Sequence, residues 1–296
     1  MRVFVTGASG FVGRATVPEL LAAGHEVVGL ARSDDAAATV EAAGATVLRG
    51  SIDDVDVVRR GAADADGTIH LAYNHDFSDI PGAAATDRAV VAAVAEAYEG
   101  SDRPFVSVSG TVGLAPGRVA TEHDTGDANV HPRVATAQSV QALKDRGIRS
   151  AVVRLAPSVH DVGDGGFVPE LIRVARAQGI SGYVGDGENR WPGVHRPDAA
   201  TLLRLALESA PAGSALHGVG EEGVPTREIA EMIGKHLGVP VQSIAPEAAA
   251  EHFGWIGMFF AMDAPASNAI TRELLGWEPV GPSLLEDLDQ GHYFEA

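Results

Sequence analysis

Gly7, Gly10 and Gly13 fall three residues apart in VTGASGFVGR, directly after the apolar run Val3, Phe4, Val5. That spacing suits a ligand that needs bare backbone. Gly7 permits a tight turn out of a strand, Gly10 lets the main chain approach a pyrophosphate, and Gly13 lets the following helix pack closely on the sheet. The diphosphate would rest on a helix N-terminus, where unpaired N–H groups and the helix dipole attract negative charge. The motif lies at a strand-to-helix junction opening a βαβ unit, the context that dinucleotide binding requires. Thr6, Ser9, Phe11 and Val12 complete this predicted cofactor loop.

The second strand ends in GLARSDD, with Arg32 and Ser33 at its tip where a reader of the ribose 2′-hydroxyl would carry Asp or Glu. A guanidinium grips a 2′-phosphate and a hydroxyl donates to it, so the expected cofactor is NADP or NADPH rather than NADH. The alternative leaves Arg32 as a solvated strand end, with Asp34 or Asp35 capping the next helix. In SVSGTVG, Ser109 and Thr111 share one face at the end of a predicted strand, and either hydroxyl suits a carbonyl oxygen. They could equally satisfy backbone there.

These residues need a frame to hold them. Short β-branched runs at 2–5, 26–31, 46–49, 67–71, 104–109 and 150–155 alternate with Ala-rich helical patterns at 11–23, 36–43, 54–61, 85–99 and 132–146. The alternation predicts an α/β fold, a Rossmann-type doubly wound parallel sheet with a smaller C-terminal substrate-covering region. Pro18 would kink the first helix slightly. Past Leu155 the texture turns to Gly- and Pro-rich loops, then helices at 198–208 and from Pro225, with Thr226 as its expected N-cap. Residues 1–157 are expected to form the dinucleotide-binding core, and 158–296 mostly a substrate-binding region interleaved with remaining sheet elements.

The chain has 296 residues, 45% of them hydrophobic, enough for a sizeable core. With 22 basic against 40 acidic residues its formal charge is −18, which disfavours nucleic acid and anionic membranes as partners and leaves a small-molecule substrate. The absence of cysteine excludes disulfides, thiolate nucleophiles and thiolate metal sites. No signal peptide or membrane span is expected, and the cytoplasm is the expected compartment. Monomer and homodimer both remain open.

Thr6-Gly7-x-x-Gly10-x-x-Gly13, Arg49-Gly50-Ser51-Ile52-Asp53, His70-Leu71-Ala72, Arg154-Leu155-Ala156-Pro157, Trp191 to Asp198 and the C-terminal Leu274-Leu275-Gly276-Trp277-Glu278-Pro279 occur in family order along the chain. Together they resemble an atypical or extended short-chain dehydrogenase/reductase of the NAD-dependent epimerase/dehydratase family. The resemblance implies that Ser51 and Ile52 flank the adenine, that Leu71 and Ala72 line the ribose side, and that Pro157, Val159 and His160 hold the nicotinamide carboxamide. It places Thr111 at the family's hydroxyl position, with Ser109 beside it.

Such enzymes usually pair a Tyr with a Lys four residues on, because an ordinary phenol, with a pKa of about 10, relays protons poorly at neutral pH. Here HPRVATAQSVQALKD places Arg133 at the Tyr position and Ala137 at the Lys position, and none of Tyr73, Tyr98, Tyr183 or Tyr293 precedes a Lys by four. His160 and His195 fall on loops expected to face the cofactor; His160 is kept as a catalytic candidate, and His195 reads more simply as structural, paired with Asp198 or backbone. His123 and His131 flank a loop over the site, but no metal centre is expected, since no H-E-x-x-H pattern exists. Phe167, Trp191, Trp255 and other late aromatics suggest core, subunit contact or the wall of a pocket for a bulky apolar substrate, with Tyr73 and Arg133 as further substrate contacts. The leading expectation is an NADPH-dependent atypical ketoreductase acting on a hydrophobic carbonyl. A catalytically silent NADP-binding sensor and an epimerase or dehydratase are the alternatives.

Overall fold

The computed structural model describes residues 1–74, 79–129 and 132–295. The buried run Val3-Phe4-Val5 forms β1 (Arg2–Thr6), and Gly7, at φ +71°, turns the chain into α1 (Gly13–Ala22). Pro18 removes one hydrogen bond but leaves α1 unbroken. β2 (Glu26–Ala31), α2 (Asp34–Ala42), β3 (Thr46–Arg49), α3 (Val55–Ala63), β4 (Gly67–His70), α4 (Ile80–Tyr98), β5 (Pro104–Gly110), α5 (Pro132–Ala142) and β6 (Arg149–Leu155) continue the alternation. Side chains fix several helix starts: Asp54 accepts from Val57 N–H at 3.2 Å, and Asp79 from Gly82 N–H at 2.9 Å. Ser33, rather than Asp34 or Asp35, caps α2 by accepting from Ala36 N–H at 3.2 Å.

The later chain forms β7 (Ser158–His160), α6 (Phe167–Gln178), β8 (Ser181–Val184), β9 (Arg190–His195), α7 (Arg196–Ser209), β10 (Ser214–Gly218), β11 (Glu221–Pro225), α8 (Thr226–Leu237), β12 (Val241–Ile244), α9 (Ala249–Phe253), α10 (Gly257–Phe260), α11 (Ala269–Leu275) and α12 (Leu284–Asp289). Among the described residues, seven parallel strands run β10-β6-β5-β4-β1-β2-β3. The chain winds outward from β1 to β3, then crosses over to β4 on the other side of β1. That reversal opens a crevice at the C-terminal ends of β1 and β4, where such sheets bind ligands.

α7 packs on α1 and β10 closes the sheet beside β6, so this stretch returns to the main layer. The remaining late elements form small sheets, β11-β9-β7 and β12-β8, around a second core that includes Leu171, Trp191, Ile229, Ile256, Phe260 and Leu288. Thr226 is not the N-cap of α8: it is the first helical residue, and its hydroxyl donates to Asn189 Oδ1 at 2.7 Å. Among the described residues, no helix is long and apolar enough to cross a membrane.

Candidate functional site

The glycine loop has the geometry its spacing predicts. A Cβ on Gly13 would lie 2.1 Å from Gly7 O, one on Gly7 would lie 2.7 Å from Ala72 N, and one on Gly10 would meet only Gly7 O, at 3.2 Å. Gly7 and Gly13 are therefore fixed by close packing, whereas the outer side of Gly10 is open, as an approaching diphosphate needs. Phe11 and Val12 are half-buried, and Val12 packs against the main core.

A buried polar chain, most of it not foreseen from the sequence, braces this loop. Ala72 N–H donates to Thr6 Oγ1 at 3.3 Å, Thr6 Oγ1 lies 2.6 Å from His70 Nδ1, and His70 Nε2 lies 3.1 Å from Asp87 Oδ1. One assignment satisfies every group: Nε2–H donates to the carboxylate, and Nδ1 accepts the Thr6 hydroxyl. Thr6 thus works through its side chain on the β4 exit, and Leu71 N–H adds a 3.2 Å bond to Thr6 O. His70 was visible in its motif, but Asp87 lies 17 residues on in α4, a partner that spacing does not reveal.

At the other end of the crevice, Arg32 is exposed at the tip of β2, with no ion pair or hydrogen bond among the described residues. Arg49, beside it at the end of β3, donates to Ser33 O at 2.6 Å and to Asp34 Oδ1 at 2.5 Å. Arg49 braces the turn and leaves Arg32 as the cation facing outward. The Ser51 hydroxyl donates to Asp53 Oδ2 at 2.8 Å, and Ile52 packs partly buried below.

Beyond β5, Thr111 is buried and its hydroxyl has no hydrogen-bond partner among the described residues, while its N–H donates to Leu155 O at 3.1 Å. That bond brings Thr111 beside the turn carrying Pro157. Ser109 is half-buried two residues earlier. Arg133, in the first turn of α5, donates to Val108 O at 2.9 Å, and its guanidinium carbon lies 4.1 Å from the centre of the Tyr73 ring. Burial lowers the pKa of Arg133, with Asp87 opposing that shift. Burial raises that of the Tyr73 phenol, and the guanidinium offsets part of the rise. Ser109, Thr111, Tyr73 and Arg133 therefore gather at the ends of β4 and β5.

A cavity of about 230 Å³ opens beside Thr111, walled by Leu114, Ala115, Pro116, Ala120 and the 262–265 segment. Its two walls are tied by Ala120 N–H donating to Pro265 O at 2.8 Å and Ser267 N–H donating to Ala120 O at 2.8 Å.

Several expected site residues lie elsewhere. His160 is on strand β7 rather than a cofactor-facing loop; its ring is fully buried and Nδ1 lies 3.0 Å from Asp287 Oδ2. Pro157 and Val159 remain half-buried on either side of Ser158. His195 Nε2 stands 3.8 Å from Asp161 Oδ1, not against Asp198, whose carboxylate accepts from Val280 and Gly281 N–H groups at 3.1 and 2.8 Å. Trp191 is fully buried, with ring centres of Phe167 and Phe260 at 5.2 and 5.3 Å, so it presents no surface to a substrate. Trp255 is partly exposed, with its ring tilted against Phe167 at a centre-to-centre distance of 5.6 Å. Among the described residues, the cavity walls include none of Phe167, Trp191 and Trp255. His131 lies outside the described residues, and no group of three His, Asp or Glu among them could hold a metal ion.

Residues 3–217 match the model of the NAD dependent epimerase/dehydratase family. The chain belongs to that family. It is an NAD(P)-dependent oxidoreductase of the extended short-chain dehydrogenase/reductase superfamily. An uncharacterized Schizosaccharomyces pombe protein, C2A9.02, is 45% identical over 99% of this chain and 100% of its own length. A 2′-dehydrokanamycin reductase of Streptomyces kanamyceticus is 30% identical over 85% of this chain and 71% of its own. The fold is shared with DesIV, a dTDP-glucose 4,6-dehydratase of Streptomyces venezuelae, at a TM-score of 0.76 and 21% identity over 99% of this chain and 96% of that one. As a family member, the chain takes a nicotinamide dinucleotide and a small-molecule substrate.

Proposed function

We propose that the protein is an NADPH-dependent reductase of an apolar carbonyl compound, working without the tyrosine–lysine acid. The observation that carries this reading is the Thr111 hydroxyl, buried without a partner beside an apolar cavity. A buried hydroxyl left unsatisfied costs about 1–3 kcal/mol, a penalty that a substrate oxygen relieves. The reductase named among the relatives supports the reaction class.

A bound dinucleotide supplies hydride, and this chain's residues supply position and charge. In this reading Gly7 to Gly13, Thr6, Ser9, Phe11 and Val12 hold the diphosphate, Arg32 and Ser33 the 2′-phosphate, Ser51 and Ile52 the adenine, and Leu71 and Ala72 the ribose. Pro157 and Val159 border the carboxamide. Ser109 and Thr111 donate to the carbonyl oxygen, Arg133 adds positive charge at the ends of β4 and β5, and Tyr73 holds the guanidinium beneath it. His160 pairs through Nδ1 with Asp287, its buried Nε2 has no hydrogen-bond partner among the described residues, and in this reading it holds β7 in place rather than relaying a proton. The proton then comes from water, and general-acid help worth about 10²- to 10⁴-fold is forgone. Activated ketones lose least by that.

The cavity of about 230 Å³ is smaller than the roughly 300–1,000 Å³ of drug-sized ligand sites, so it takes one apolar arm of the substrate. The cysteine-free sequence suits a reducing compartment such as the cytoplasm. The test is turnover of NADPH, stereospecifically deuterated at C4, with a panel of aliphatic and aromatic α-activated ketones. Deuterium in the alcohol product supports the reductase; tight NADPH binding with no transfer to any panel member favours the silent sensor instead.

A further inference from the structure

Loop 161–166, DVGDGG, follows β7 and is fastened on two sides. On one side, Arg196 at the start of α7 reaches Asp161 Oδ2 with Nε at 2.9 Å and Nη2 at 2.7 Å. The same guanidinium lies over Phe11, 4.7 Å from its ring centre. A Cβ on Gly163 would come within 4.0 Å of Arg14 Nη2. Phe11 and Arg14 belong to the glycine loop and the first turn of α1, so loop 161–166 abuts the place where the diphosphate would lie.

On the other side stands the C-terminal tail. The Tyr293 hydroxyl accepts the Asp161 N–H at 3.2 Å and donates to Asp164 Oδ2 at 3.1 Å, while Asp164 Oδ1 accepts the Gly166 N–H at 2.6 Å. Both ends of the loop thus converge on one phenol and its carboxylate partner. The tail is itself held: Phe294 stacks on His236 with ring centres 4.5 Å apart, and Phe294 O accepts from Arg176 Nη2 at 2.8 Å. Asp287, in the first turn of α12, holds His160 immediately before the loop. Burial pushes both the Tyr293 phenol and the Asp164 carboxyl up from their ordinary values, which keeps the phenol protonated as a donor.

We propose that the C-terminal tail is a strap on the cofactor site, in which Tyr293 is a positioning residue that fixes loop 161–166 against the glycine loop and so sets the affinity and release rate of the dinucleotide. The proposal rests on the cofactor reading above. It needs no contact between Tyr293 and the nucleotide, because the phenol acts through Asp161, Arg196 and Phe11.

The experiment compares wild type with Tyr293→Phe, which keeps the ring packing and removes only the hydroxyl. NADP⁺ affinity and dissociation rate are measured by titration calorimetry and stopped flow, and amide exchange is measured without nucleotide. The expected result is a Kd for NADP⁺ raised about tenfold, mostly through faster release, with amides 161–166 losing protection while β1 and β4 keep theirs. A merely structural hydroxyl would lower the melting temperature and leave Kd at 25 °C unchanged, and that result overturns the proposal. So does unchanged protection of the loop. Should Tyr293→Phe not fold, Asp164→Ala severs the same link from the loop side and must raise Kd similarly. A wild type that does not bind NADP⁺ defeats the cofactor reading itself, whereas equal binding by wild type and variant defeats only the strap.

Discussion

Thr111 shows how a single atom separates stability from function. Its hydroxyl is buried without a partner among the described residues, so replacing it by an isosteric methyl removes a desolvated polar group at no cost in hydrogen bonds. Thr111→Val should therefore melt at the same temperature as wild type or a few degrees higher. The same change should lower kcat/KM for the ketone about 10- to 100-fold and leave NADPH affinity intact. Calorimetry and steady-state kinetics on one preparation check both halves, and a variant that loses stability would show that the hydroxyl serves the fold. At this scale the sequence was partly legible. The close packing of the glycines follows from their type and spacing, whereas the pairing of His160 does not, since its partner Asp287 lies 127 residues away. Asp87 and Asp161 were hidden likewise, because polar pairs across elements leave no local pattern.

In the proposed function, the element on which dinucleotide binding depends is the β1–loop–α1 unit. The helix can start only where the loop carbonyls permit, and a methyl on Gly13 would stand 2.1 Å from Gly7 O and 2.7 Å from Ala8 O. Those are backbone atoms, which cannot swing aside as a side chain would. Gly13→Ala should therefore displace α1 from the loop, cost about 1–3 kcal/mol in denaturant unfolding, and weaken dinucleotide binding at least tenfold. Binding unchanged from wild type would mean that the diphosphate does not depend on this junction. Elements of this first half were readable because apolar strands and Ala-rich helices alternate at regular spacing, and the observed strand ends differ by about one residue. The later half was harder to read. β7, β8 and β12 have three or four residues each and pair with segments far along the chain, so neither length nor alternation marks them. Thr226 looked like a cap because it precedes a helical run, yet its hydroxyl is taken by Asn189 in a neighbouring turn.

Across the whole molecule, the substrate side is tied to the sheet through a buried cluster. His217 on β10 lies with Nδ1 2.7 Å from Ser267 O, and Arg154 on β6 donates to Asp124 O at 2.6 Å. Glu122 accepts from Thr271 N–H and Oγ1 at 2.8 and 2.7 Å. Burial lowers the pKa of His217 in the folded protein, with Glu122 opposing that shift. The unfolded chain, whose histidine titrates near pH 6.5, therefore binds more protons than the folded one below that pH. Stability should be flat above pH 7 and fall as the pH drops below about 6.5, and His217→Asn should flatten that slope. Urea unfolding across this range tests it, and a slope unchanged in the variant would assign the acid sensitivity elsewhere.

The formal charge of −18 makes the capture of a highly anionic dinucleotide depend on local cations, and in the proposed function Arg32, exposed at the tip of β2, is the residue that distinguishes a 2′-phosphate from a 2′-hydroxyl. The most direct measurement is therefore a paired titration of wild type and Arg32→Ala with NADP⁺ and NAD⁺ at fixed salt. Wild type should bind NADP⁺ at least tenfold more tightly than NAD⁺, and the substitution should remove most of that preference while NAD⁺ affinity stays within about twofold. Equal affinity of the wild type for the two nucleotides, or a preference that survives the loss of Arg32, would contradict it.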